Sequence, residues 1–137
     1  MKKVFICFLI LLGTSPAYAG EDLSEFYYLS ARLLNGKEVS FDKFQNKVVL
    51  ITNISLRCGT TVQLRDLQKL YSKYKKKGLI VLAFPSDDFT NNEPSHKEIK
   101  STCENDFGID FPVFESTNVR GIDISPLFSF LTTEGSS

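Results

Sequence analysis

The sequence of 137 residues contains no tryptophan, one methionine, one histidine and three cysteines. With His96 alone, a histidine-based metal cluster cannot be assembled, and a Cys–His pair has one possible histidine, which reads as a solvated first-turn residue of a helix. No two cysteines stand at C-x-x-C spacing, which argues against a dithiol oxidoreductase. Neither charge sign is in excess, with 16 Lys and Arg against 16 Asp and Glu, so nothing in the balance favours a nucleic-acid or polybasic membrane-surface binder. No glycine-rich phosphate loop is present. Asp87-Asp88 reads as a solvated acidic loop rather than a cation site, and Lys75 to Lys77 as a solvated helix end. The hydrophobic fraction of 42% is too high for a disordered chain, and the length fits one domain.

The longest apolar run, Val4 to Leu12, spans about nine residues, short of the ~20 that a membrane-spanning helix needs. Lys2 and Lys3 precede it and Ala17-Tyr18-Ala19 follows, the pattern of a secretory signal peptide over residues 1–19 cleaved after Ala19. Cys7 leaves with that peptide. The expected product is one exported domain over residues 20–137, periplasmic or secreted, with no stable membrane anchor after cleavage. It keeps two cysteines, Cys58 and Cys103, which in an exported protein form a disulfide that is either permanent or cycling.

Along that domain, Asn35-Gly36 predicts a turn between Ala31–Leu34 and Val39–Phe41. The β-branched run 47–53 reads as a strand buried on both faces. Leu64, Leu67, Leu70, Tyr71 and Tyr74 repeat at helical spacing up to a stop at Gly78, and a second buried strand follows over 79–84, halted by Pro85. Ser95 and Glu98 fit a capping box for a helix reaching about Asn105. Phe111–Phe114 reads as a short extended piece and 127–131 as a last helical turn. Strand, helix, strand, helix in this order predicts an α/β fold with a parallel pair.

Cys58 falls between the first buried strand and the following helix. A sulfur there meets the positive end of a helix dipole, with Arg57 beside it, which favours thiolate and so nucleophilic or redox chemistry. A buried small hydrophobe or half of a static disulfide fits the same topology, and topology alone leaves these readings open.

The residues around Cys58 resemble a known family. Asn53-Ile-Ser-Leu-Arg-Cys58-Gly59-Thr-Thr61 is similar to the "N-V-A-S-x-C-G-x-T" segment of glutathione peroxidases. Leu82-Ala-Phe-Pro-Ser-Asp-Asp-Phe89 followed by Asn92-Glu-Pro94 resembles their "L-x-F-P-C-N-Q-F-G-x-Q-E-P". Asn35 to Val39, Cys103 to Phe114 and Pro126-Leu127-Phe128 carry the likeness along the rest of the chain. The resemblance implies a thioredoxin-like fold and reduction of hydrogen peroxide or organic hydroperoxides, with no bound cofactor. It implies that Cys58 is the peroxidatic thiol, oxidised to a sulfenic acid. Cys103 stands where thioredoxin-dependent members carry their resolving cysteine, and Asn92 stands at the active-site glutamine. It implies a thiol reductant, either glutathione or a thioredoxin-like protein. Because Cys103 lies in a predicted helix, that helix is expected to open locally for the two sulfurs to meet.

The sequence ends before the family's "W-N-F" segment, which accounts for the zero tryptophan count. The expectation is therefore a thioredoxin-like fold incomplete at its C-terminal strands and helix, with the 47–54 strand open along one edge. The alternative expectation is a non-enzymatic, truncated or degenerate family member, or a secreted domain with a static Cys58–Cys103 disulfide.

Overall fold

A computed structural model describes residues 24–55, 62–86, 88 and 94–134. The elements are α1 (Ser24–Tyr27), β1 (Ser30–Arg32), β2 (Glu38–Ser40), a 3-10 turn (Phe41–Phe44), β3 (Val48–Ile54), α2 (Val62–Tyr74), a second 3-10 turn (Lys75–Lys77), β4 (Leu79–Pro85), α3 (His96–Ser101), a π-helical turn (Thr102–Asp106) and α4 (Pro126–Glu134).

β3 and β4 pair in parallel, Val48 opposite Leu79 through Ile54 opposite Pro85, with α2 as the connection between them. This is the α/β unit that the alternation of buried runs and helical spacing predicts. β1 and β2 form the expected hairpin, Ser30 opposite Ser40. At its turn the Asn35 side chain accepts from the Lys37 amide at 3.0 Å, and Gly36 takes φ 81°, where a side chain would be strained. The 111–115 segment joins the two pairs. Ala83 donates to the Pro112 carbonyl at 3.0 Å and Phe114 to the Ala83 carbonyl at 2.9 Å; on its other side Glu115 donates to the Arg32 carbonyl at 2.7 Å. Backbone pairing therefore runs from the hairpin through residues 113–115 to β4 and then β3.

β4 is the centre of the domain. Val81 to Ser86 are all buried, and successive side chains enter opposite cores, as strand alternation requires. Val81 and Ala83 join Ile54, Leu64, Ile99, Cys103, Ile109 and Phe111, the side covered by α2 and α3. Leu82 and Phe84 join a phenylalanine-rich core with Phe26, Phe41, Phe44, Phe114 and Leu127, beneath α1, the first 3-10 turn and α4.

Three expectations change. β3 is not buried on both faces: only Ile54 is buried, and Val48 is 68% exposed. Among the described residues β3 pairs with β4 alone, so its other edge is open. Phe41 leaves the hairpin to begin the 3-10 turn, because there its ring is fully buried. The last helix is a nine-residue element, not a single turn. It starts at Pro126, whose fixed φ and missing N–H suit a first helical position.

Candidate active site

The parallel pair ends where Cys58 occurs in the chain, between Ile54, last of β3, and Val62, first of α2. Ligands of open α/β sheets bind beyond the carboxyl ends of the strands, and here those ends are firmly tied. The Asn53 Nδ2 donates to the Phe84 carbonyl at 3.0 Å, and the Ser86 amide donates to the Ile54 carbonyl at 3.1 Å. Ser86 is itself buried, and its Oγ accepts from the Asp88 amide at 3.1 Å. Cys58 and Asn92, two of the three candidate site residues, lie outside the described residues.

Asp88 is not a solvated loop residue. Its carboxylate accepts from the backbone amides of Val119 at 2.5 Å and Arg120 at 3.2 Å, and its carbonyl accepts from the Arg120 guanidinium. The carboxylate thus fastens the segment after β4 to the 117–121 stretch. No sequence signal announces this, because the partners are backbone amides 31 and 32 residues away.

Cys103, the third candidate, is 1% exposed and a free thiol. The capping box expected at Ser95 and Glu98 is present and starts the helix that carries it. After Ser101 the helix widens into the π-turn, with the Phe107 amide donating to the Thr102 carbonyl at 3.3 Å. The sulfur-bearing residue packs among Ile54, Leu64, Val81, Ile99, Ile109 and Phe111. Burial pushes its thiol up to about 11, and the neighbouring Glu104 carboxylate adds to the rise. In this state Cys103 is protonated and buried, and with Leu33, Lys100 and Phe111 it lines a cavity of about 170 Å³.

A second group of residues, missed by sequence reasoning, secures the segment that follows Cys103. Gln68 Nε2 donates to Asp110 Oδ1 at 2.6 Å, and the Asp110 amide donates back to Gln68 Oε1 at 3.1 Å. Lys75, read from the sequence as part of a solvated helix end, is paired with Asp110 Oδ2 at 2.5 Å. These hydrogen bonds hold the Asp110 carboxyl below its usual range, the Lys75 contact first and Gln68 second. The periodicity of α2 identifies its buried face but not partners that polar side chains meet 35 to 42 residues later.

The glutathione peroxidase family model matches residues 26–132. The chain belongs to the glutathione peroxidase family. A glutathione peroxidase homolog, BsaA of Halalkalibacterium halodurans, is 45% identical over 106 residues, covering 77% of this chain and 68% of the relative. The glutathione peroxidase-like peroxiredoxin gpx1 of Schizosaccharomyces pombe is 39% identical over 113 residues, 82% of this chain and 72% of the relative. Among solved structures, T. cruzi GPX1 superposes with a TM-score of 0.59 at 27% identity, covering 78% of this chain and 64% of that one. The chain therefore spans about two thirds of the length of these family members. The fold is the α/β thioredoxin-like fold, the one the family resemblance implies. The family is one of peroxidase oxidoreductases, and the matched residues include Cys58, Asn92 and Cys103.

Proposed function

We propose that the chain is a thiol-dependent peroxidase that reduces hydrogen peroxide or organic hydroperoxides. The observation that carries this reading is the family match across 26–132, which takes in both cysteines and the whole β3–α2–β4 unit. In the proposed cycle the Cys58 thiolate attacks one peroxide oxygen. The O–O bond breaks, that oxygen stays on sulfur as a sulfenic acid, and the other leaves as alkoxide, which takes a proton to give the alcohol or water. The Asn92 side chain amide, at the position of the family's glutamine, is the proposed hydrogen-bond donor to the sulfur.

Cys103 then condenses with the sulfenic acid. The S–S bond forms, the S–O bond breaks, and the oxygen departs as water with the Cys103 thiol proton. A thiol reductant, either a thioredoxin-like protein or glutathione, supplies two thiols and is oxidised to its own disulfide as the two cysteines are restored. The buried, protonated state of Cys103 supports a cycle in which α3 and its π-turn open after peroxide has reacted. The proposal needs no bound metal or organic cofactor and no nucleic acid. Residues 1–19 are proposed as a secretory signal peptide, which would place the domain outside the cytoplasm without a lasting membrane anchor.

The test is peroxide consumption by the purified full chain, supplied separately with a thioredoxin system and with glutathione. Consumption that Cys58→Ser abolishes supports the reading. Equal background rates for the chain and Cys58→Ser would overturn it and favour a non-enzymatic family member.

A further inference from the structure

Cys103 is 1% exposed, so its thiol becomes available when a segment packed over it moves, and whatever holds such a segment bears on how often that happens. One such segment is residues 107–111. The Ile109 amide donates to the Cys103 carbonyl at 2.9 Å, and Ile109 and Phe111 pack in the same core cluster as Cys103. This segment is fastened to α2 by a line of side chains. The Arg65 guanidinium lies 5.4 Å from the centre of the Phe107 ring, and Tyr71 meets Phe111 edge-on at 5.8 Å. Between them Gln68 and Asp110 exchange two hydrogen bonds, and Lys75 pairs with the remaining carboxylate oxygen. Residues 65, 68 and 71 recur at three-residue intervals along α2, and Lys75 follows at the start of the second 3-10 turn. The same line leads back along α2 toward the strand-to-helix connection in which Cys58 occurs.

We infer that the Gln68–Asp110–Lys75 cluster is a latch: it couples α2 to the 107–111 segment and governs the rate at which Cys103 becomes accessible. Gln68, Asp110 and Lys75 are thus positioning residues that act through Cys103 and touch no substrate. The inference deepens, and for its role in turnover rests on, the reading of Cys103 as the second thiol of the cycle. The exposure of the latch matters to its size. Lys75 and Asp110 side chains are 38% and 49% exposed, so the latch is weak enough to open within a reaction cycle.

The experiment is native-state alkylation of Cys103 by iodoacetamide in the reduced full chain. It is read by peptide mass in a Cys58→Ser background, so that no peroxide chemistry is involved. Gln68→Ala and Asp110→Ala should each speed Cys103 labelling by about two- to tenfold, the range for losing an ordinary hydrogen bond between partly exposed groups. The double variant should add little to either single, because both remove one coupled unit. Asp110→Asn, which keeps an acceptor for Gln68 and loses the charge, should fall between. Asp66→Ala removes a solvent-exposed ion pair with Lys69 on the same helix and should leave labelling unchanged. Labelling that stays at the parent rate in Gln68→Ala and Asp110→Asn would overturn the latch. So would labelling that rises only as much as denaturant measurements of global stability account for. Because the readout needs no turnover, a failed latch and a failed peroxidase assignment give different results. If both hold, the same variants speed disulfide formation after peroxide in the Cys58-containing chain, in the same rank order.

Discussion

Phe84 and Phe114 stack face to face, with ring centroids 4.5 Å apart and planes within 6°. The pair joins β4 to the 111–115 segment at the point where backbone pairing passes from the central strand toward the hairpin. Phe114 also meets Phe41 edge-on at 6.1 Å, and it is 1% exposed. Phe114→Ala should therefore destabilise the domain by about 3–5 kcal/mol, a large share of the ~5–15 kcal/mol available to a natural domain. Phe114→Leu should cost less. Denaturant midpoints at unchanged slope check both.

The capping box gives a smaller and more local effect. Ser95 Oγ accepts from the Glu98 amide at 3.3 Å, and the Glu98 carboxylate accepts from the Ser95 amide at 2.8 Å. Ser95→Ala should cost about 1 kcal/mol of helix stability. Since α3 carries Cys103 into the core, amide exchange in residues 96–106 should accelerate by about fivefold while β4 is little affected.

Cys103 predicts an alkaline loss of stability. Its folded-state thiol titrates at about 11, above the ordinary 9.0, because burial disfavours thiolate. The stabilisation from keeping the proton is complete below the ordinary value and declines as pH rises through the interval to about 11. A Cys103→Ala variant should lose less stability over that interval than the parent, by about 2–3 kcal/mol at its top. Paired denaturation series from pH 8 upward measure the difference. Asp110 acts at the other end. Its carboxyl is held below the ordinary 3.8, so its contribution is present above that value and disappears as pH falls through the lower folded value. Asp110→Asn should flatten that acid limb. Lys75 is held above its ordinary 10.5 by the same pair, so its contribution is complete below that value and is lost as pH rises through the higher folded one.

Among the described residues one edge of β3 is unpaired; Val48 on this strand is 68% exposed, beside a groove lined by Leu70, Tyr74, Lys77 and Leu79. An apolar edge without charge or proline invites strand-to-strand association. Val48→Lys should reduce concentration-dependent light scattering while changing stability by less than about 0.5 kcal/mol.

The elements that sequence made legible are those governed by local chemistry. Ser95 and Glu98 named their helix start because a capping box closes within four residues. Gly78 named a helix end, and it takes φ 100° there. The β-branched run of β3 and the apolar run of β4 gave both strands, but not the difference between them. β4 is flanked by β3 and the 111–115 segment, whereas among the described residues β3 has one partner, and burial follows neighbours rather than composition. Cys58, Asn92 and Cys103 are candidates drawn from family motifs, and of the three the described residues include Cys103. The Gln68–Asp110 exchange and the seating of Asp88 on Val119 and Arg120 were not legible, because polar residues joined across 31 to 42 positions leave no periodicity.

The most direct test of the account is the intact mass of the reduced chain before and after one equivalent of hydrogen peroxide, with single-cysteine controls. The account predicts that the parent becomes lighter by two hydrogens as Cys58 and Cys103 join. Cys103→Ser should become heavier by one oxygen as the sulfenic acid persists, and Cys58→Ser should not change. A parent mass that peroxide leaves unaltered, or an oxygen added equally well without Cys58, would contradict it.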